Sequence, residues 1–190
     1  MGAWVEANQR RLAKLVACLT VPRPAIKGSG RREQGEAMAI KDVFHVNVNC
    51  TDLERSRAFY EQVGFKVVLE LGVGGGREML RGLGLPEGSE AKAVLMMLEP
   101  DTPRGTRLDL IEWITPPTKG APAPDLAHAG AVRIALWTVG IDGEYERLKA
   151  AGVEFLSEPV GMPGGTRFCC FKDPDGTILE LIDFTGDKRR

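Results

Sequence analysis

The 190-residue chain predicts an α+β fold of two βαβββ modules that pair into a cupped, barrel-like mixed sheet with the helices outside. A repeat is the first reason. Phe44-His45-Val46-Asn47-Val48, Thr51-Asp52-Leu53-Glu54, a helical run and Val63-Gly64-Phe65 return as Val132-Arg133-Ile134-Ala135-Leu136, Ile141-Asp142, a helical run and Ala151-Gly152-Val153. Laying Gly64 on Gly152 gives an offset of 88 residues, which also lays Leu53 on Ile141 and His45 on Arg133. The second reason is that each copy ends in an apolar strand carrying a glutamate, Glu112 in one and Glu180 in the other. The third is geometric. One helix covers one face of a small sheet, so the other face must close against its twin.

Residues 1–37 read as an N-terminal extension, a short helix over 3–19 followed by a disordered linker rich in Pro, Gly, Arg and Glu. Met38, just ahead of the repeat, is a candidate start. The domain itself is expected over 38–190, with module one at about 42–115, a linker at 116–130 and module two at about 131–184.

In module one, residues 42–50 alternate, with Phe44, Val46 and Val48 on one face and His45, Asn47 and Asn49 on the other, which marks a strand. Thr51 with Glu54 predicts a capping box that opens a helix through Val63, closed by Gly64. Strands follow at 65–71, 93–98 and 107–114, with a Gly- and Pro-rich loop at 72–92. Module two is predicted as a strand at 131–139, a helix capped by Asp142 and ended by Gly152, and strands at 153–156, 167–172 and 177–184. Asp173-Pro174-Asp175-Gly176 is turn chemistry, since Pro presets φ and Gly supplies a positive one.

Composition sets bounds. A formal net charge of −1 gives no electrostatic case for nucleic acid or an anionic membrane surface. Four cysteines, two of them adjacent, make no disulfide framework and point to a reduced, cytoplasmic setting. No apolar run approaches the ~20 residues of a membrane helix.

The residues His45, Thr51-Asp52-Leu53-Glu54-Arg55-Ser56-Arg57-Ala58-Phe59-Tyr60 and Asp173-Pro174-Asp175-Gly176-Thr177-Ile178-Leu179-Glu180-Leu181 resemble the vicinal oxygen chelate superfamily. It includes glyoxalase I, methylmalonyl-CoA epimerase, extradiol dioxygenases, fosfomycin-resistance enzymes and bleomycin-binding proteins. The resemblance implies a glyoxalase-like fold, a homodimer, and a small-molecule substrate or ligand. It also implies a divalent ion held by the first and last strands of each module. His45, Glu112 and Glu180 are the ligand-competent residues at those strands, and Arg133 stands where the fourth ligand is usually histidine.

The expected function is an enzyme with a reduced metal site, and a metal-free binding pocket is the alternative. In the first, His45, Glu112 and Glu180 hold Zn²⁺, Ni²⁺, Co²⁺, Mn²⁺ or Fe²⁺ in a reduced site. The ion polarises an oxygenated metabolite and Glu112 or Glu180 moves the proton, giving lyase, isomerase or epimerase chemistry. In the second, no metal binds. Arg133 cannot ligate one, and pairs instead with Glu112 or Glu180 or holds an anionic group. The pocket, lined by Asn47 and Trp137, then binds a small molecule.

Overall fold

The computed structural model describes residues 43–102, 105–123 and 125–187, so the expectations for residues 1–37 lie outside the described residues. Module one runs β1 (His45–Asn49), α1 (Leu53–Val63), β2 (Lys66–Glu70), α2 (Arg77–Gly82), β3 (Glu90–Met97) and β4 (Arg107–Thr115). Module two runs β5 (Arg133–Trp137), α3 (Ile141–Ala150), β6 (Val160–Gly161), β7 (Arg167–Lys172) and β8 (Ile178–Asp183). Each module makes one four-stranded sheet, ordered β1-β4-β3-β2 and β5-β8-β7-β6. In both, the first strand runs parallel to the last and the others pair antiparallel. This is the predicted α+β fold of two modules, paired into a cup.

The helices sort the sheet faces. Val48, Val94, Met96, Leu108 and Leu110 join Leu136, Cys169, Phe171, Leu179 and Leu181 in one buried cluster with Leu53, Tyr60, Ile141, Tyr145 and Leu148 of the helices. Because side chains alternate along a strand, the neighbours of these residues point the other way, into the cup. A single core therefore runs behind both sheets and leaves their second faces for the site.

Both predicted helix N-caps are corrected, while Gly64 closes α1 as expected. Asp52, not Thr51, is the N-cap of α1, and its side chain accepts a hydrogen bond from the Arg55 N–H at 3.0 Å. Thr51 is drawn off by Asp175 of module two, which accepts from both its hydroxyl and its N–H. The N-cap of α3 is Gly140, at φ 76°, a left-handed conformation that suits glycine. Gly140 has no side chain to cap with, and Asp183 at the end of β8 serves instead, accepting from the N–H groups of Gly140 at 2.9 Å and Ile141 at 3.2 Å. Asp142 faces Arg167, whose Nη2 lies 2.8 Å from its Oδ1.

Two further expectations change. The strand predicted at 153–156 contracts to a Phe155–Phe171 bridge ahead of the two-residue β6. Pro159, directly before β6, has no N–H with which to lengthen the ladder. The loop predicted at 72–92 contains α2, pinned by the buried Leu80.

The turn Asp173–Gly176 clasps the modules together. Gly176, at φ 93°, donates its N–H back to the Asp173 carbonyl at 3.0 Å. Asp173 Oδ1 accepts from the N–H groups of Asp175 and Thr177, and its Oδ2 accepts from the Tyr60 hydroxyl of α1 at 3.1 Å. Asp175 crosses to module one, where Arg55 Nη2 donates at 2.6 Å and Ser56 Oγ at 3.3 Å. Burial works against the ionised form of Asp175, but the Thr51 hydroxyl and Arg55 outweigh it and lower its pKa.

The Thr185 hydroxyl, together with the N–H groups of Thr185, Ile141 and Gly140, holds Asp183 down at about 2 from the usual 3.8. A depressed carboxylate stabilises the fold fully above its unfolded pKa, and that contribution fades as pH falls through the folded one. Asp183→Asn is therefore expected to lower the urea midpoint at neutral pH, with the gap to wild type narrowing as pH drops from about 4 toward 2. A gap that stays constant over that range would mean the Asp183 charge is not what holds α3.

Candidate functional site

In the cup, strand register places the site residues. β1 pairs with β4 so that His45 lies beside Arg107 and Asn47 beside Asp109. β5 pairs with β8 so that Arg133 lies beside Ile178 and Ala135 beside Glu180. Each wall then sets a basic side chain against an acid, His45 Nδ1 against Asp109 Oδ2 at 3.2 Å and Arg133 Nε in an ion pair with Glu180 Oε2 at 2.8 Å. The pairs are pseudo-symmetric, with the basic group on the sheet-edge strand and the acid on the strand beside it. The acids are buried, at 8% and 4% exposure. The His45 and Arg133 side chains are 41% and 44% exposed, so the basic groups form the accessible lip. Burial pushes the Asp109 carboxyl up, while His45 and Arg107 oppose the shift. Burial raises the Cys170 thiol pKa, with Glu180 adding to the shift and Arg133 opposing it, which disfavours the thiolate a nucleophile needs.

Glu112 is not in the cup. It shares its strand face with Leu108 and Leu110, and its Oε2 accepts from the Leu53 N–H at 2.6 Å and lies 2.9 Å from Lys92 Nζ. It anchors the start of α1 as Asp183 anchors α3. An offset of 71 residues lays Glu112 on Asp183 and Asp109 on Glu180. The acid missed in the sequence is therefore Asp109. A legible signal was present, since Leu108-Asp109-Leu110 repeats as Leu179-Glu180-Leu181.

The other expected contacts divide. Asn47 and Asn49 line a cavity of about 400 Å³ at the seam, together with Thr118, Ala131 and Ile134, a volume within the usual small-molecule range. Asn49 Oδ1 accepts from the Trp113 indole at 3.1 Å. Trp137 shares the strand face of Arg133 and is 68% exposed.

The metal reading was tested against these donors. His45 engages Asp109, Glu180 engages Arg133 and Glu112 holds a helix, so the three predicted ligands are not brought together. Among the described residues no cluster of three or more His, Cys, Asp or Glu side chains could hold a metal ion. A guanidinium offers no lone pair and adds a fixed positive charge. This set of side chains does not fit a divalent ion.

Residues 42–181 match the Glyoxalase/Bleomycin resistance protein/Dioxygenase superfamily, and the chain belongs to it. The uncharacterized protein YwkD of Bacillus subtilis is 30% identical over 152 residues, 77% of this chain and 99% of that one. A glyoxalase family protein from Bacillus cereus superposes with a TM-score of 0.66 at 22% identity, over 77% of this chain and 98% of that chain. TnmS3, an antibiotic binding protein from a Streptomyces species, superposes with a TM-score of 0.52 at 26% identity, over 77% and 98%.

If Glu112 serves α1 alone, Glu112→Ala will cost about 1–2 kcal/mol in urea unfolding, the scale of a lost helix cap. Amide exchange at Leu53 will quicken, and the Trp137 indole resonance will not move. A shifted indole resonance with unchanged exchange would return Glu112 to the cup.

Proposed function

We propose that this member of the superfamily is a metal-free small-molecule-binding protein whose cup takes a flat ligand against Trp137 and the His45–Asp109 and Arg133–Glu180 pairs. The observation that carries this reading is Arg133 Nε lying 2.8 Å from Glu180 Oε2. Arg133 supplies Glu180 with the positive charge that a bound cation would otherwise bring. The exposed Trp137 adds an aromatic surface of the kind that ligand pockets use. The likeness to an antibiotic binding protein supports the same class of function.

A second reading has its own observation. Asp109 Oδ2 sits 3.2 Å from His45 Nδ1 and orients the imidazole, leaving Nε2 as a candidate acceptor of a substrate proton. Isomerase or epimerase chemistry at a carbon beside a carbonyl would then run without a metal. Deuterium exchange into such a substrate, lost in His45→Gln, would favour this enzyme over a passive binder.

The metal-free reading makes a direct prediction. Protein purified from metal-supplemented cultures will carry no stoichiometric divalent metal by elemental analysis. Arg133→His, which releases Glu180 and supplies an imidazole, will raise Ni²⁺ affinity by about ten-fold or more in calorimetric titration, the order of effect expected from adding a ligand and removing a like charge. Stoichiometric Ni²⁺ in wild type, lost in His45→Ala, would overturn the proposal.

A further inference from the structure

We propose that Arg107 and Asp109 form a ligand-reading edge in the module-one wall of the cup, one that takes a neutral planar ligand presenting a hydrogen-bond acceptor beside a donor, as a primary carboxamide or lactam does. The inference rests on the reading of the cup as a ligand site and names the chemistry that the site would select.

Arg107 and Asp109 lie two residues apart on β4, on one face, beside His45 and Asn47 of β1. Both are more than nine-tenths buried, at 5% and 8% exposure. Each keeps one buried polar atom without a hydrogen-bond partner, Nε of Arg107 and Oδ1 of Asp109. Buried polar groups are almost always satisfied, and one left open in a folded protein calls for an explanation such as a bound partner. Here a donor and an acceptor two residues apart on one strand face are left open.

Packing does not require this pair. The offset of 71 residues that lays Asp109 on Glu180 lays Arg107 on Ile178, so the other module builds the same strand with an aliphatic side chain. Arg107 is thus an addition to module one alone. Its guanidinium lies against the Phe44 ring, with Cζ 4.5 Å from the ring centroid. Phe44 precedes β1 and is half exposed, so it can shift and lay its ring along a flat ligand.

The chemistry of the edge is selective. A carboxylate would satisfy Arg107 but bring its second oxygen against Asp109. An ammonium group would suit Asp109 and repel Arg107. A primary amide satisfies both, its carbonyl accepting from Nε–H and its N–H donating to Oδ1. A site built to hydrogen-bond a group rejects analogues that lack it, because its own buried atoms are then left open.

The test uses three probes built on one phenyl ring: benzamide, benzoate (no donor, charged, close to benzamide in shape) and the bulkier N,N-dimethylbenzamide (no donor), each titrated into ¹⁵N-labelled protein. Benzamide is expected to shift the Arg107 Nε–H resonance and the β4 amides, and to bind about ten-fold or more tightly than either comparator. In Asp109→Asn, close in shape to wild type and checked for folding by its amide spectrum, benzoate should gain and the benzamide-to-benzoate ratio should fall toward one. Three probes binding the cup with equal affinity, or a ratio unmoved by Asp109→Asn, would overturn the ligand-reading edge and leave the cup a ligand site. Failure of all three to perturb any cup residue at millimolar concentration would overturn the edge together with the reading of the cup itself.

Discussion

Each module depends on a carboxylate placed under the first turn of its helix. Glu112 accepts from the Leu53 N–H, and Asp183 from those of Gly140 and Ile141. The first N–H groups of a helix have no partner within it, and the positive end of the helix dipole favours an anion there. The same acids set the geometry of the cup. Each stands three residues beyond a cup acid, Glu112 beyond Asp109 and Asp183 beyond Glu180. An odd spacing puts the two on opposite faces of a strand. With one acid tied to the helix side, the other must face inward. A slip of one residue would exchange the faces, burying Asp109 and Glu180 in the core and expelling Leu110 and Leu181 from it.

The two halves are then held together by polar contacts as well as by the common core. Asp173 and Asp175 sit in a tight turn of module two, yet Asp175 meets Thr51, Arg55 and Ser56 at the start of α1 and Asp173 meets Tyr60 farther along it. The clasp ties the beginning of one module's helix to the loop that feeds the other module's last strand. That strand carries Glu180, so the clasp lies in the loop that leads directly to one wall of the cup. The motif that marks the superfamily in this sequence is therefore a fold device here, and the chemistry falls to the side chains on the opposite face.

Much of this was legible in residue patterns. The alternation around Val46 and Val48 gives the face of His45, and β7 begins and ends at the predicted residues, Arg167 and Lys172. Misreadings arose where a distant partner overrode a local preference. Thr51 and Asp142 are both good capping residues by type, but Asp175 and Arg167 compete for them across the fold. By residue type alone Glu112 reads as a site acid, a glutamate on the last strand of its module. Its parity with Leu108 and Leu110 places it on the helix side. The short α2 was not legible because six residues in a glycine-rich stretch show no helical period. The unsatisfied atoms of Arg107 and Asp109 lie beyond any sequence pattern, because satisfaction is a property of three-dimensional neighbours.

Charge accounting narrows what the cup can hold. Glu180 is almost fully buried and needs a positive partner, since an acid stranded in a low-dielectric site costs several kcal/mol. Arg133 supplies it and in doing so commits its charge. The His45 imidazole lies against Asp109, with Nδ1 3.2 Å from Oδ2. A strongly anionic ligand would have to draw Arg133 off Glu180 and leave that acid unpaired, and a cationic one would meet the Arg133 guanidinium at the lip. Both penalties fall away for a neutral ligand with polar edges, which can add hydrogen bonds to the pairs without breaking either. The Arg133–Glu180 pair thus bears on the charge of any ligand the cup takes.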